Sequence, residues 1–196
     1  LNKSKTNGNE IRVLRNSVNS GKGFSVKKGI ENSKYDLVLF TDADLATPIE
    51  ELDKMLKEIN NGYDIIIASR NLPESNLVVN QPFYRQIMGK TFPMLVRVLL
   101  ISNIQDVKYI KDPQCGFKLF KTEVAKKIVK LQTIYRYCFD VELLYIAHKL
   151  GFRIKEVPVT WIDKRGSKVS PLKDGFKMFI DLLRIRFNAF ANKYGD

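Results

Sequence analysis

Two short apolar runs joined by an amphipathic segment constrain the fold of this chain more than any other feature. The first run, KYDLVLF, spans Lys34–Phe40, and the second, YDIIIAS, spans Tyr63–Ser69. Continuous apolar runs of this length are typical of strands that are covered on both faces. Between the runs, apolar residues recur at helical spacing, at Ile49, Leu52, Leu56 and Ile59. The order strand, helix, strand predicts a right-handed βαβ unit in an α/β fold with a mostly parallel sheet.

Asp42 and Asp44 follow the first apolar run directly. The residues after them, Thr47, Pro48 and Glu50, match the N-cap, first position and third position of a capping box. In open α/β sheets, ligands bind beyond the carboxyl ends of the strands. Mg²⁺ commonly uses one or two carboxylates together with substrate phosphates, so the pair predicts a metal site. The alternative is that both carboxylates cap the helix or lie in solvent.

The rest of the chain continues the alternation of strands and helices. Gly21-Lys22-Gly23 opens a predicted helix, where backbone N–H groups favour phosphate, although the Gly-Lys-Ser/Thr ending of a P-loop is absent. The strand predicted over Phe152–Trp161 contains Pro158, which favours a position at a sheet edge. Further elements are a short strand over Ile11–Asn16, a strand within Cys115–Phe120, and helices over Thr122–Leu131 and Phe139–Leu150.

Charge and hydropathy limit the partners. The chain has 33 Lys and Arg against 21 Asp and Glu, a net charge of +12, which favours anionic partners such as phosphorylated substrates, lipid headgroups or nucleic acid. A basic surface without a specific partner is the alternative. No apolar stretch is long enough to span a bilayer, and the first residues lack the apolar core of a signal peptide. The two cysteines, Cys115 and Cys138, lack metal-site spacing and suggest a reducing compartment.

Several segments together resemble the inverting nucleotide-sugar glycosyltransferases of family 2, and within it the dolichyl-phosphate β-glucosyltransferases. The dolichyl-phosphate mannose synthases match less closely. The matching segments are NSGKGFSVKKG (Asn19–Gly29), DADLATPIEE (Asp42–Glu51), IASR (Ile67–Arg70), DPQCGFKLF (Asp112–Phe120), FDVELL (Phe139–Leu144) and the stretch Ile154–Arg186.

The resemblance implies a Rossmann-like nucleotide-diphospho-sugar transferase fold with helices on both faces of the sheet. It implies UDP-glucose as the donor and a dolichyl or other polyisoprenyl phosphate as the acceptor. Asp42 and Asp44 would hold Mg²⁺ or Mn²⁺ on the donor diphosphate, with Asp44 the more direct ligand. One direct displacement would invert the sugar and give a β-linked product for protein glycosylation.

The chain departs from the family's pattern at its start. Members begin with a Pro-x-Tyr-Asn-Glu strand and a second strand ending in Asp-Asp-Gly-Ser, which line the uridine pocket, and neither motif occurs here. We therefore expect residues 1–170 to form a glycosyltransferase domain that is incomplete at its N-terminus.

The resemblance also assigns substrate-binding roles. Arg70 and Arg85 are expected to contact the acceptor phosphate, and a basic loop is expected to close over one of the phosphates, although ordinary surface polarity is the alternative. Asp112 is a candidate base, but an acceptor phosphate with a second pKa near ~6 needs little help to attack. We expect catalysis to rest on metal stabilisation of the leaving diphosphate and on alignment. The predicted substrate-binding residues are Lys22, Gly23, Arg70, Arg85, Gln114, Lys164, Arg165, Ser167 and Lys168.

A polyisoprenyl acceptor requires contact with a membrane surface. Thr91–Ile104 and Phe176–Tyr194 both mix large apolar residues with Lys or Arg, which is the pattern of interfacial helices. Residues 171–196 are therefore predicted to form an amphipathic basic helix, with packing on the core as the alternative. Together with the resemblance, this pattern leads us to expect a peripheral protein on the cytoplasmic face of the endoplasmic reticulum or of an archaeal or bacterial plasma membrane.

Three other functions stay open. The donor could carry mannose or N-acetylglucosamine, because donor specificity depends on the shape of a pocket. The chain could bind lipid phosphate without catalysis. It could bind nucleic acid through its net charge, but that function would explain neither Asp42 and Asp44 nor the basic loop, and we do not expect a nucleic-acid partner.

Overall fold

A computed structural model of the chain describes residues 2–6, 9–78, 96, 110–162 and 171–195. The strands are β1 (Asn2–Thr6), β2 (Asn9–Val13), β3 (Leu37–Thr41), β4 (Ile65–Ser69), β5 (Asn76–Leu77), β6 (Phe117–Lys121), β7 (Ile154–Pro158) and β8 (Thr160–Trp161). The helices are α1 (Lys22–Glu31), α2 (Leu52–Asn60), α3 (Thr122–Leu131), α4 (Phe139–Lys149) and α5 (Pro171–Phe190), and a 3₁₀ turn (Ile49–Glu51) precedes α2.

The central sheet has the strand order β3-β6-β4-β7. Strand β6 runs antiparallel to both β3 and β4, whereas β4 and β7 are parallel. The predicted strand–helix–strand unit is confirmed, but its two strands are not neighbours, because β6 lies between them. The sheet is therefore mixed, with three strands in one direction and β6 in the other. This order brings the carboxyl ends of β3 and β4 and the amino end of β6 to one edge.

Strand β4 forms the centre of the core, and alternate residues face its two sides. Ile65 and Ile67 pack with residues of α3, α4 and α5, whereas Ile66 and Ala68 pack against Met55 of α2. A fully buried isoleucine side chain contributes roughly 1.5–3 kcal/mol of transfer free energy. Helices on both faces explain why the apolar run of this strand showed no alternation, and the predicted α/β class is confirmed.

The prediction that the strand with Pro158 lies at the side of the sheet, as an edge strand, is also confirmed among the described strands. Strand β7 is the last strand in the described order and ends at Pro158. Because β7 has β4 on one side and no described strand on the other, the missing N–H of Pro158 removes no hydrogen bond to a second strand. The chain then continues into β8, which pairs in parallel with β5.

The predicted capping box after Asp44 does not form. Pro48 has an extended ψ of 146° and precedes the 3₁₀ turn, whose N-terminus makes no side-chain capping hydrogen bond. Helix α2 begins only at Leu52. The carboxylate of the buried Glu51 accepts a hydrogen bond from the Thr160 N–H at 3.1 Å, so this segment is held by a strand across the fold rather than by its own cap.

Helix α5 has two apolar faces. Leu182 and Ile185 are buried in the main core, and Tyr194, just after the helix, is buried with them. The Tyr194 hydroxyl donates a hydrogen bond to Glu142 of α4 at 2.7 Å, which ties the end of the chain to the domain. Six large apolar residues lie exposed along the rest of the helix: Phe176, Phe179, Ile180, Leu183, Phe187 and Phe190. No helix in the described ranges has the length and hydropathy needed to cross a bilayer.

Candidate functional site

The turn after β3 holds Asp42 and Asp44 at the carboxyl end of the strand. The Asp42 N–H donates to the Gly116 carbonyl at 2.9 Å, and the Asp42 carbonyl accepts from the Leu45 N–H at 3.1 Å. The Asp44 carboxylate accepts the Ala46 N–H at 3.1 Å. Leu45 adopts a left-handed conformation with φ of 52°, which reverses the chain within the turn. The backbone therefore holds both carboxylates at the strand tip, as predicted from the sequence.

Gly116 lies directly against the Asp42 carboxylate. A Cβ atom at position 116 would overlap the Asp42 carboxyl atoms. The Asp42 carboxylate approaches position 116 so closely that only a glycine fits there. Because Gly116 directly precedes β6, the Gln-Cys-Gly segment and the two aspartates form one structural unit.

Lys22 reaches the same carboxylate from α1. Its Nζ lies 2.6 Å from Asp42 Oδ1 and 5.2 Å from the centre of the Phe40 ring. Gly23 lets α1 approach α4, because a Cβ there would lie 2.6 Å from the Phe139 Cβ. Asp42, Asp44 and Lys22 lie in one groove of about 750 Å³ between α1 and β3.

Arg70 follows β4 and forms a buried ion pair with Asp112. Its Nε and Nη2 donate to the two Asp112 oxygens at 2.7 and 2.8 Å, and its backbone N–H donates at 2.9 Å. Burial raises the pKa of Asp112, but the Arg70 guanidinium outweighs this effect and leaves the pKa below its ordinary value. A carboxylate with a lowered pKa is a poor proton acceptor. This geometry favours positioning of Arg70 by Asp112 over the predicted role of Asp112 as a base.

Arg70 lies at the same edge of the sheet as Asp42, because β3 and β4 both end there. Burial lowers the pKa of Arg70, but the negative charges of Asp112 and, more weakly, of Asp42 raise it above its ordinary value. The guanidinium also lies 5.4 Å from the centre of the Trp161 ring. The Arg70 side chain as a whole is 28 % exposed at this edge of the sheet.

Glu156 of β7 supports this ion pair and was not predicted. Its carboxylate accepts the backbone N–H groups of Lys111 and Asp112, the latter at 2.7 Å. Burial raises the pKa of Glu156 above its ordinary value. The sequence signal was weak, since one glutamate in an edge strand usually faces solvent.

A second buried ion pair, Lys118–Asp140, lies behind the turn. The Lys118 ammonium is 2.7 Å from Asp140 Oδ1 and also donates to the Cys115 carbonyl. Burial raises the pKa of Asp140, and the charges of Lys118 and Lys22 only partly offset it. The sequence signal for this pair was a single lysine inside the apolar strand FKLF.

The remaining predicted residues divide into described and undescribed ones. Gln114 lies in the turn before β6, where its Nε2 donates to the Tyr137 carbonyl at 3.4 Å. Ile162 donates its N–H to the Ala46 carbonyl at 2.8 Å, so the chain passes beside the Asp42–Asp44 turn just before the predicted basic loop. Arg85 and the residues of that loop, Lys164, Arg165, Ser167 and Lys168, lie outside the described residues, as does nearly all of the predicted interfacial segment Thr91–Ile104.

The donor set at the turn suits a hard divalent cation. Asp42 and Asp44 supply carboxylate oxygens, which Mg²⁺ and Mn²⁺ prefer. Among the described residues, no three metal-ligating side chains lie together. Two carboxylates fit an ion that takes its other ligands from water and from a substrate phosphate, and they do not fit a closed structural site.

The sequence matches known proteins over most of its length. The profile described as glycosyl transferase family 2 matches residues 1–129. The chain is 41 % identical over 182 residues to the dolichyl-phosphate beta-glucosyltransferase of Dictyostelium discoideum, covering 90 % of this chain and 54 % of the relative. The human protein of the same name is 35 % identical over 93 % of this chain and 56 % of its own length. The chain thus spans about half the length of the curated relatives that it matches.

Solved structures give the fold. Glucosyl-3-phosphoglycerate synthase from Mycobacterium tuberculosis, crystallised with Mn²⁺, UDP and phosphoglyceric acid, superposes with a TM-score of 0.56 and 17 % identity, covering 89 % of this chain and 54 % of that one. The same enzyme with Mg²⁺ and UDP gives a TM-score of 0.57 at 18 % identity, with 86 % and 54 % covered.

Proposed function

We propose, from the premise that this chain belongs to glycosyl transferase family 2, that its site transfers glucose from UDP-glucose to dolichyl phosphate with inversion. The observation that carries the proposal is that Asp42, Asp44 and Lys22 line one groove and that Arg70 follows β4 at the same edge of the sheet. Two carboxylates can hold a metal ion on the donor diphosphate, and two basic side chains can bind the phosphates of the donor and of the acceptor. The names of the relatives supply the sugar and the lipid.

The donor diphosphate would bind at the tip of β3. Asp42 and Asp44 would hold Mg²⁺ or Mn²⁺, which neutralises charge on the diphosphate as it leaves. Lys22, at the first turn of α1, would add a cationic side chain and helix N–H groups on the same diphosphate. Gly23 and Gly116 allow α1 and the turn before β6 to approach closely enough for this arrangement.

The acceptor phosphate would bind at Arg70. Asp112 fixes the guanidinium through two of its nitrogens, so the group is oriented before the acceptor arrives. An acceptor oxygen attacks the anomeric carbon, the bond to the donor diphosphate breaks, and its electron pair leaves with UDP. Because a phosphate monoester is already anionic at neutral pH, this single displacement needs no general base. It converts an α-linked donor into a β-linked product.

The basic segment 164–168 is proposed to add cations to this site. Lys164 follows Ile162 by two positions in the sequence. Ile162 is itself hydrogen-bonded to Ala46 of the Asp42–Asp44 turn. Chain connectivity therefore supports the predicted roles of Lys164 and Arg165 on a phosphate, and Gln114, Ser167, Lys168 and Arg85 stay predictions with them.

Transfer of labelled glucose from UDP-glucose to dolichyl phosphate tests the proposal. The assay compares the natural chain with Asp44→Ala and with Asp53→Ala, an exposed carboxylate on α2 as a matched control. We expect metal-dependent product, a loss of about 10²-fold or more in Asp44→Ala because charge stabilisation of the leaving group is removed, and no change in Asp53→Ala. It is run on this chain and on any longer product of the same gene. GDP-mannose and UDP-N-acetylglucosamine are tested in parallel, and absence of transfer from all three donors would refute the function.

The membrane surface is proposed to contact the exposed face of α5. Phe187 is 68 % exposed and Phe190 73 % exposed, and Lys177, Arg184 and Arg186 lie on the same helix. Apolar side chains with neighbouring cations favour insertion into the interface of an anionic bilayer. This contact is proposed to occur on the cytoplasmic face of the membrane, where it would bring the lipid acceptor to the site.

Cosedimentation with vesicles that contain an anionic phospholipid tests this contact. The double variant Phe187→Ser/Phe190→Ser should bind about tenfold or more weakly, because each buried phenylalanine contributes roughly 1.5–3 kcal/mol. Tyr35→Ser removes an equally exposed aromatic residue outside α5 and should bind as the natural chain does. Equal binding of the three proteins, or binding that does not weaken with salt, would show that α5 is not the contact.

A further inference from the structure

Lys22 lies on the carboxylate oxygen that a divalent ion would need. Its Nζ is 2.6 Å from Asp42 Oδ1, which is the distance of a direct ion pair. Asp42 is one of the two carboxylates that the proposed function assigns to the metal. Two cations cannot share that oxygen at contact distance without strong repulsion. Metal binding and the Lys22–Asp42 ion pair are therefore in competition.

We propose that Lys22 is an exchangeable cation: it neutralises Asp42 without metal, and it moves to the donor diphosphate when the metal–nucleotide complex binds. The inference rests on the proposed function, because it requires a metal site at Asp42 and a diphosphate donor. It adds that one side chain links metal binding to nucleotide binding.

The surroundings of Lys22 permit this exchange. Its side chain is 42 % exposed and has a flexible four-carbon stem, so it can leave Asp42 without breaking a buried contact. The rings of Phe40 and Phe139, 5.2 and 5.9 Å from its Nζ, attract a cation at this end of the groove. Lys22 is also the first residue of α1, where a phosphate is favoured. A short movement thus takes the ammonium from a carboxylate to a phosphate.

Lys118, which also lies near the turn, differs from Lys22 because its ammonium is held in a fixed position. Lys118 is only 1 % exposed and is held by Asp140 and the Cys115 carbonyl. It cannot exchange partners without leaving Asp140 as an unpaired buried charge. The difference in burial therefore assigns exchange to Lys22 and a fixed supporting role to Lys118.

The exchange has a measurable consequence for metal binding alone. A divalent ion without nucleotide must displace Lys22 and leave the ammonium without a partner, so its affinity is reduced. With UDP present, the displaced ammonium gains the diphosphate, so the metal and the nucleotide bind cooperatively. Removing the ammonium should strengthen binding of the metal alone and weaken the cooperativity.

Titration of Mn²⁺, followed by the electron paramagnetic resonance signal of the free ion, tests the inference without any turnover. Lys22→Met should bind Mn²⁺ alone about two- to fivefold more tightly than the natural chain, which is the range expected for a partly exposed ion pair. Addition of UDP should increase Mn²⁺ affinity less in Lys22→Met than in the natural chain. Lys22→Arg keeps the charge and should resemble the natural chain.

Two further variants serve as controls. Lys121→Met removes the same charge from an ion pair with Asp64 at the opposite edge of the sheet, and it should leave Mn²⁺ affinity unchanged. Asp42→Asn should lose Mn²⁺ binding with or without UDP. Circular dichroism of each variant establishes that it is folded.

The outcomes separate the inference from the proposed function. Asp42-dependent Mn²⁺ binding that is equal or weaker in Lys22→Met would overturn the exchange and leave the metal site standing. Equal tightening by Lys121→Met would reduce the effect to net charge and also overturn it. If no protein binds Mn²⁺ even with UDP, the proposed metal site fails and the exchange fails with it.

Discussion

The two ion pairs at the functional edge of the sheet, Arg70–Asp112 and Lys118–Asp140, each join an aspartate to a basic side chain, but the pKa values of the two aspartates shift in opposite directions. Asp112 and Asp140 are both buried, yet the pKa of Asp112 is lowered and that of Asp140 is raised. Burial raises the pKa of both carboxyls, so it cannot explain the difference. The difference comes from what their partners donate.

Asp112 accepts three hydrogen bonds from Arg70, two from the guanidinium and one from the backbone. Lys118 donates one hydrogen bond to Asp140 and another to the Cys115 carbonyl. A guanidinium fork stabilises both carboxylate oxygens, whereas an ammonium acts as one point charge and is here shared with a carbonyl. In both pairs the opposite charge of the partner lowers the carboxyl pKa most, and the hydrogen bonds of the partner add to that effect. Asp112 gains more of these hydrogen bonds, whereas the nearby negative charge of Asp42 raises the pKa of Asp140 further.

The two pairs also differ in exposure, and this suits different roles. Arg70 keeps 28 % of its side chain exposed and can meet an anion. The Lys118 and Asp140 side chains are 1 % and 4 % exposed, so they contact no ligand directly. Through the Cys115 carbonyl, Lys118 holds the turn that presents Gly116 to Asp42. One pair thus presents a charge, and the other supports the backbone beneath it.

The largest effect is expected from breaking the almost fully buried pair, Lys118–Asp140. Lys118→Met leaves Asp140 buried without its cation and should lower the free energy of unfolding by about 3–5 kcal/mol, measured by urea denaturation. The double variant Lys118→Met/Asp140→Leu removes both charges and should recover most of this loss. If the single and double variants were equally unstable, packing and not the unpaired charge would be the cause, and the contrast between the pairs would lose its basis.

A smaller effect, with a distinct pH dependence, is expected from breaking the Arg70–Asp112 pair, whose arginine is partly exposed. Asp112→Asn should lower the free energy of unfolding at pH 7 by about 1.5–3 kcal/mol, the typical value of a hydrogen bond to a charged group. Because the folded-state pKa of Asp112 is lowered, its contribution is complete above the unfolded pKa of about 4 and is lost as pH falls through the folded value.

Urea denaturation of the natural chain and Asp112→Asn at several pH values checks this dependence. The stability difference should be constant near neutral pH and shrink below about pH 4, where the natural carboxyl becomes protonated. A difference that persists unchanged to low pH would mean that Asp112 is not stabilised as an anion by Arg70.

The family, the α/β class and the separate elements were predictable because each depends on local sequence. The apolar run at Tyr63–Ser69 reflects burial on both faces, whereas β3, at the end of the described strand order, is only partly buried. Helix α3 ends at the predicted Leu131 and has Thr122 as its first residue. The place of Asp42 and Asp44 at the end of β3 was predictable for the same reason, since strand and turn are contiguous. The metal and substrate roles of the site residues, and the division at residue 171, stay predictions.

Only the tertiary structure decided the partners of those residues. Sequence patterns report burial and period, but they do not report which strand enters between two others, and the antiparallel β6 between β3 and β4 is a long-range pairing. That insertion brings Asp112 to Arg70, Lys118 to Asp140 and Gly116 to Asp42, with a sequence separation of 42 residues in the first pair. The sequence by itself therefore determined which residues can carry charge at the edge of the sheet. The packing determined which of those charges are held in place and which, like Lys22, are able to move.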